Sequence, residues 1–121
     1  RANTTAIIKG STSSNVTNTE DYAAGFCNRY SRTNANGNGL TAGRWWLPSM
    51  GEMAMIWANF DKINYALSKI SGASQLQSSW YWCSTQRSDA AAWRLNMTDG
   101  TVNDDSKFLL RRVRPVSAFL N

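Results

Sequence analysis

The 121-residue chain contains no histidine. That removes the commonest general base, the commonest metal ligand, and the Ser-His and Cys-His nucleophile pairs. Cysteine is scarce: Cys27 and Cys83 are the only two, without a C-x-x-C or any zinc-site spacing. One long-range disulfide and two buried free thiols both remain open, because pairing needs Cα atoms within roughly 7 Å. Neither a GxxxxGK[ST] loop nor a GxGxxG occurs. The acidic residues Glu20, Asp21, Glu52, Asp61, Asp89, Asp99, Asp104 and Asp105 all lie outside apolar runs that would raise a carboxyl for acid–base work. No enzyme activity, cofactor or metal is expected on these grounds. No apolar run approaches membrane-spanning length, so membrane insertion is not expected. The first residues lack the charged, apolar, cleavable layout of a signal peptide. Arg1 stands where a Met would start a gene product, so the chain reads as a processed or excised piece of a longer protein.

What is present suits one packed domain. The length fits a single domain, and hydrophobic content of 42% with six tryptophans can supply a core. The net charge of +5 is spread: residues 1–86 carry seven basic and four acidic groups, and residues 87–121 carry six and four. Phosphate binding needs a concentrated stripe, so nucleic acid is not an expected partner.

Thr4–Lys9 is a β-branched run that predicts a first strand. A polar, turn-rich stretch follows. From about Glu20 to Ser31, Ala23, Phe26, Cys27 and Tyr30 recur on one helical face. Ser31–Gly43, with its NANGNG, predicts a loop. Ser49 and Glu52 form an S-x-x-E capping box after Pro48. The helix it opens carries Met53, Ile56, Trp57 and Phe60 on one face. Ile63, Ala66, Leu67 and Ile70 repeat that spacing after a bend near Asp61, which can cap the second helix, and Gly72 ends it. From Trp80 the period becomes two: Trp80–Trp82 start an aromatic strand, and Trp93, Leu95 and Met97 alternate inward against Arg94, Asn96 and Thr98 outward. Asp99-Gly100 signals a hairpin turn. Val102 starts a short strand or ordered loop, and Arg112–Phe119 a terminal strand with Pro115 at an edge or start. Helices and strands are segregated, which predicts an α+β fold with an antiparallel sheet, as one domain over 1–121 without repeats.

The ordered set Trp45-Trp46-Leu47-Pro48-Ser49 with Glu52, Tyr81-Trp82-Cys83-Ser84-Thr85, Ala92-Trp93, Asp99-Gly100 and Val113-Arg114-Pro115-Val116-Ser117-Ala118-Phe119 resembles one family. It is the C-type-lectin-like variable domain that ends target proteins of diversity-generating retroelements in gut bacteria and their phages. The resemblance runs from about Tyr22 to Phe119. It implies a C-type-lectin-like fold, with two main helices packed on an irregular antiparallel sheet whose last strands present a ligand-binding surface. It also implies a receptor-binding or adhesion role, at a phage tail fibre, pilus tip or cell surface. The expected location is therefore extracellular, on a bacterial surface or virion. The expected partner is a protein or glycan receptor on a cell surface, with multimeric display through the parent protein.

In such proteins, adenine replacement at AAY codons changes the first two letters. Lys, Glu, Gln, Met and Trp then cannot arise. The expected contact residues are Arg87, Ser88, Asp89, Ala90, Arg94, Asn96, Thr98, Thr101, Asn103, Asp104, Asp105, Ser106, Phe108, Leu109, Leu110 and Arg111, none of which is one of those five. Gln86, Trp93, Met97 and Lys107 are of the forbidden types and read as scaffold. Position 83 is Cys where the family commonly has Ser. The EPN, QPD and WND motifs of calcium-dependent lectins are absent, so the resemblance carries no expectation of calcium-mediated glycan binding.

Rival readings attach to several features. The tryptophans read as core rather than a carbohydrate site. Asn103-Asp104-Asp105 reads as a solvated loop rather than a cation site. Arg111, Arg112 and Arg114 could hold an anion, but Arg114 reads as tied into the scaffold and Arg111 as part of the contact surface. Phe108-Leu109-Leu110 is either core or an exposed patch for a partner. Two other roles are open: an oxidase related to formylglycine-generating enzymes, which needs a closely placed reactive cysteine pair, and a structural cap of a fibre or pilus.

Overall fold

Ser49 caps the first long helix as its S-x-x-E pattern requires. Its hydroxyl accepts from the Glu52 amide at 3.1 Å, and the Glu52 carboxylate accepts from the Ser49 amide at 3.0 Å. The computed structural model describes residues 4, 6, 23–33, 35–88, 91–106 and 111–117. In chain order the elements are α1 (Ala23–Arg29), β1 (Arg32–Thr33), β2 (Gly39–Leu40), α2 (Met50–Ala58), α3 (Phe60–Ser68), β3 (Trp80–Gln86), β4 (Ala91–Asn96) and β5 (Val102–Ser106). This is an α+β arrangement with two antiparallel sheets, β1-β2 and β3-β4-β5.

The larger sheet is the middle layer. Register pairs Tyr81 with Leu95 and Leu95 with Val102, so these side chains share one face. With Cys83 and Met97 they pack against Met53, which is fully buried on α2. The other face carries Trp82 and Ala92, which cluster with Cys27 of α1, Leu47 and Val113. Trp82 and Cys83 are chain neighbours in different clusters, as strand alternation requires. Both sheet faces are therefore covered, whereas the alternation of residues 93–98 alone indicated one covered and one open face. Arg94 and Asn96 are half-buried rather than outward and free. Trp93 is half-buried too.

Five further expectations are corrected. Thr4 and Ala6 are helical, not extended. Thr4 engages the core through its hydroxyl, which accepts from the Leu47 amide at 3.0 Å and donates to the Leu47 carbonyl. The rest of that run lies outside the described residues. The stretch expected as a loop at 31–43 contains the β1-β2 ladder, with Arg32 opposite Leu40. Gly39 permits this close approach, since a Cβ there would collide with the Arg32 carbonyl oxygen. The helix break falls at Asn59, which caps both helices, so Asp61 sits in the first turn of α3 and not at its cap. Lys69 is the C-cap of α3, and Gly72 lies beyond it in the following turn. Finally, described residues 112–117 form no strand. Two isolated bridges replace it, Arg112 with Tyr81 and Val116 with Trp46, and Pro115 between them has no N–H to continue a ladder.

Trp46 and Trp82 are core residues, and Trp45, Trp80 and Trp93 are half-buried. Trp57, expected on the buried face of α2, is 39% exposed. Among the described residues, no helix is long and apolar enough to cross a membrane.

Candidate functional site

The β4-β5 hairpin forms as its turn residues direct. Gly100 has a positive φ and its amide donates to the Asn96 carbonyl at 2.7 Å. The Asp99 carboxylate accepts from the Thr101 amide at 2.9 Å. The Thr101 hydroxyl and amide both lower the Asp99 pKa below the usual carboxylate range. Closing the hairpin brings Arg94 opposite Asn103, and Ala92 opposite Asp105.

A polar lattice follows from that register. Arg94 Nε donates to Asn103 Oδ1 at 2.7 Å, and its Nη1 lies 2.8 Å from Asp105 Oδ2. Arg111 Nη2 donates to the same Asp105 oxygen at 2.8 Å. Arg87 pairs with Asp104 at 2.9 Å near the start of β4. The guanidinium of Arg94 also lies 4.0 Å from the ring centre of Trp80, a cation–π contact. The first three charged groups are largely shielded, with side chains 15% (Arg94), 19% (Asp105) and 28% (Arg111) exposed. Two guanidiniums on one carboxylate leave a local surplus of positive charge, which favours ligand carboxylates and carbonyl oxygens there.

Asn103, Asp104 and Asp105 therefore belong to strand β5, where the guanidiniums of Arg87, Arg94 and Arg111 engage them, and not to a solvated loop. Asp104 and Asp105, as successive strand residues, project to opposite faces, which also removes the clustered oxygens a hard cation wants. Among the described residues no group of three or more acidic or thiol side chains converges as a metal site. Arg114 donates to the Ser74 carbonyl and is tied to the scaffold, as expected.

The structure thus brings together Arg94, Asn103, Asp105 and Arg111, with Arg87 and Asp104 as a second pair. Asn96 accepts from the Thr98 amide at 3.0 Å, and Thr98 and Thr101 are exposed at the hairpin tip. Ser88 accepts from the Ala91 amide. The Ser106 amide donates to Asp105 Oδ1. Asp89, Ala90, Phe108, Leu109 and Leu110 lie outside the described residues, as does Lys107. Trp80 is the site residue that sequence reasoning assigned to the core. Its register opposite Asn96 would have placed it beside Arg94, but register is a tertiary fact.

The thiols stand apart from this surface. Cys27 and Cys83 are free and buried, in different clusters on the two sides of the sheet. Burial pushes both thiols up to about 12.

These observations define a small α+β domain whose last described strands and C-terminal segment share a polar lattice. No family model matches the chain, and no curated protein matches it.

Proposed function

We propose that this chain is a ligand-binding domain of the C-type-lectin-like, retroelement-diversified class. It binds a protein or glycan receptor on a cell surface through the β4-β5 face and Arg111, and acts outside the cell on a bacterial surface or virion. Multimeric display by a parent protein would raise its avidity. One observation carries the reading. Each of the four polar side-chain links, Arg94–Asn103, Arg94–Asp105, Arg111–Asp105 and Arg87–Asp104, joins two members of the expected contact set. Meanwhile the interleaved Ala92, Leu95 and Met97 are buried. Exchanging both members of such a link together strands neither of them, and the Arg94–Trp80 stacking contact is the scaffold contact such an exchange would also remove. The oxidase reading fares worse, because its reactive cysteine pair would have to be two protonated thiols buried in separate clusters.

The test replaces Arg87, Arg94, Asn103, Asp104, Asp105 and Arg111 together by residues that NNY codons encode, as a displayed library. Most members are expected to resist protease, and selection on immobilised cell-surface proteins and glycans is expected to enrich different sequences for different targets. Loss of protease resistance across the library would sink the proposal. A near-copy repeat beside a reverse transcriptase gene in the neighbouring DNA would support it independently.

A further inference from the structure

The junction of α2 and α3 and the turn after β4 line an open cleft of about 660 Å³. Small-molecule sites span roughly 300–1,000 Å³. Buried Met97 and half-buried Phe60 supply its apolar lining. Trp57 forms part of its wall. A Cβ built on Gly100 would stand 2.7 Å from Cζ2 of Trp57 and 2.8 Å from both Cε2 and Cη2. Three adjacent ring atoms so nearly equidistant place that point over the ring plane and not beyond its rim. Gly100 therefore sits against one face of the indole, and Trp57 as a residue is still 39% exposed. A braced aromatic ring is a stacking platform that loses little freedom on binding.

The remaining lining is polar. Asp61, Lys62, Ser78 and Thr98 all reach the cleft and all are exposed. Asp61 and Lys62 bring one charge of each sign, so the cleft has no net preference for a charged ligand. Together the four side chains offer an acceptor, a donor and two hydroxyls that do both. A neutral molecule with one apolar face and many hydroxyls matches that chemistry. We propose that the cleft is a saccharide site, in which a neutral pyranose stacks on Trp57 and hydrogen-bonds to Asp61, Lys62 and Thr98. It shares only Thr98 with the contact set of the β4-β5 face, so either proposal can fail alone.

The test is an amide-NMR titration of the isotope-labelled full chain with cellobiose, maltose, methyl mannoside and N-acetylglucosamine, and with adenosine as a planar heterocycle. At least one saccharide is expected to give saturable shifts at the Trp57 indole N–H and at the amides of residues 59–62 and 97–98. Trp57→Ala should weaken that binding by roughly fivefold or more, with Trp57→Phe intermediate, given the usual size of aromatic stacking. Asp61→Asn provides a variant with no packing change and is expected to weaken it too. The proposal is overturned if no saccharide gives saturable shifts, if the shifts fall only around Arg94 and Asp105, or if adenosine alone moves the Trp57 signal.

Discussion

Arg94 and Arg111 share one oxygen: Nη1 of the former and Nη2 of the latter each lie 2.8 Å from Oδ2 of Asp105. The shared oxygen ties the C-terminal segment to the edge of the sheet. Asp105→Ala would leave two largely shielded guanidiniums facing each other without their counter-charge. The expected loss is about 2 kcal/mol, below the full cost of a wholly buried pair because some solvent reaches these groups. Replacing Arg94, Asp105 and Arg111 by Ala together should restore most of that loss, since no charge is then stranded. Urea unfolding midpoints at constant slope check both.

Gly100→Ala combines two faults. The residue would keep a φ of +79°, and its Cβ would meet the Trp57 ring at 2.7 Å. Gly37 provides the control: its φ is +78°, with nothing within 4 Å of a built Cβ. Gly37→Ala should cost about 1 kcal/mol for the backbone alone, and Gly100→Ala about 1–3 kcal/mol more from the forced contact. Thermal unfolding of the two variants side by side measures the difference.

Glu52 ties acid stability to the α2 cap. Burial raises its pKa, but hydrogen bonding to Ser49, aided by the neighbouring Trp46 side chain, outweighs burial and lowers it overall. A carboxyl with a lowered folded pKa contributes stability above its unfolded pKa and loses it as pH falls through the folded value. The stability of the protein should therefore drop on acidification below the usual carboxylate range. Glu52→Gln should flatten that drop by under about 1 kcal/mol, because the half-buried group still sees solvent. Urea midpoints across an acid pH series check the sign.

The thiols should be inert in the folded protein. With Cys27 and Cys83 pushed up to about 12, iodoacetamide at mildly alkaline pH is expected to label neither until urea unfolds the chain. Their raised values also mean that any stabilisation they contribute is complete below the ordinary thiol value of 9.0 and fades as pH rises towards about 12. Mass spectrometry of the labelled native protein is the measurement, and rapid labelling of either residue would contradict the buried placement.

Local chemistry made part of this structure legible in advance. The Ser49–Glu52 box and the Asp99-Gly100 turn need only near neighbours, and both form as written. The helix break was visible as a change of phase, but its place was not. Asn59 and Asp61 are both cap residues by type, and the helix starts at Asn59 without a side-chain cap bond, so residue type alone does not decide the place. Thr4 misled because a β-branched run favours strand only when a neighbouring strand is there to pair with. Thr4 itself is helical, and its hydroxyl bonds to the Leu47 backbone. Asp105 was named from the sequence but its pairing with Arg94 was not, and Trp80 was missed as a site residue, for one reason: the contact lies across the sheet, at a register that no single strand encodes.

The ion pairs that β4 and β5 make with each other and with Arg87 have a consequence for lineages as well as for single molecules. Natural variants on this scaffold are expected to show coupled inheritance at positions 94 and 105, and at 87 and 104. Charge reversals or joint losses at those pairs should outnumber lone changes. Leu95 and Met97, held between them in the core, should drift only among residues of similar volume.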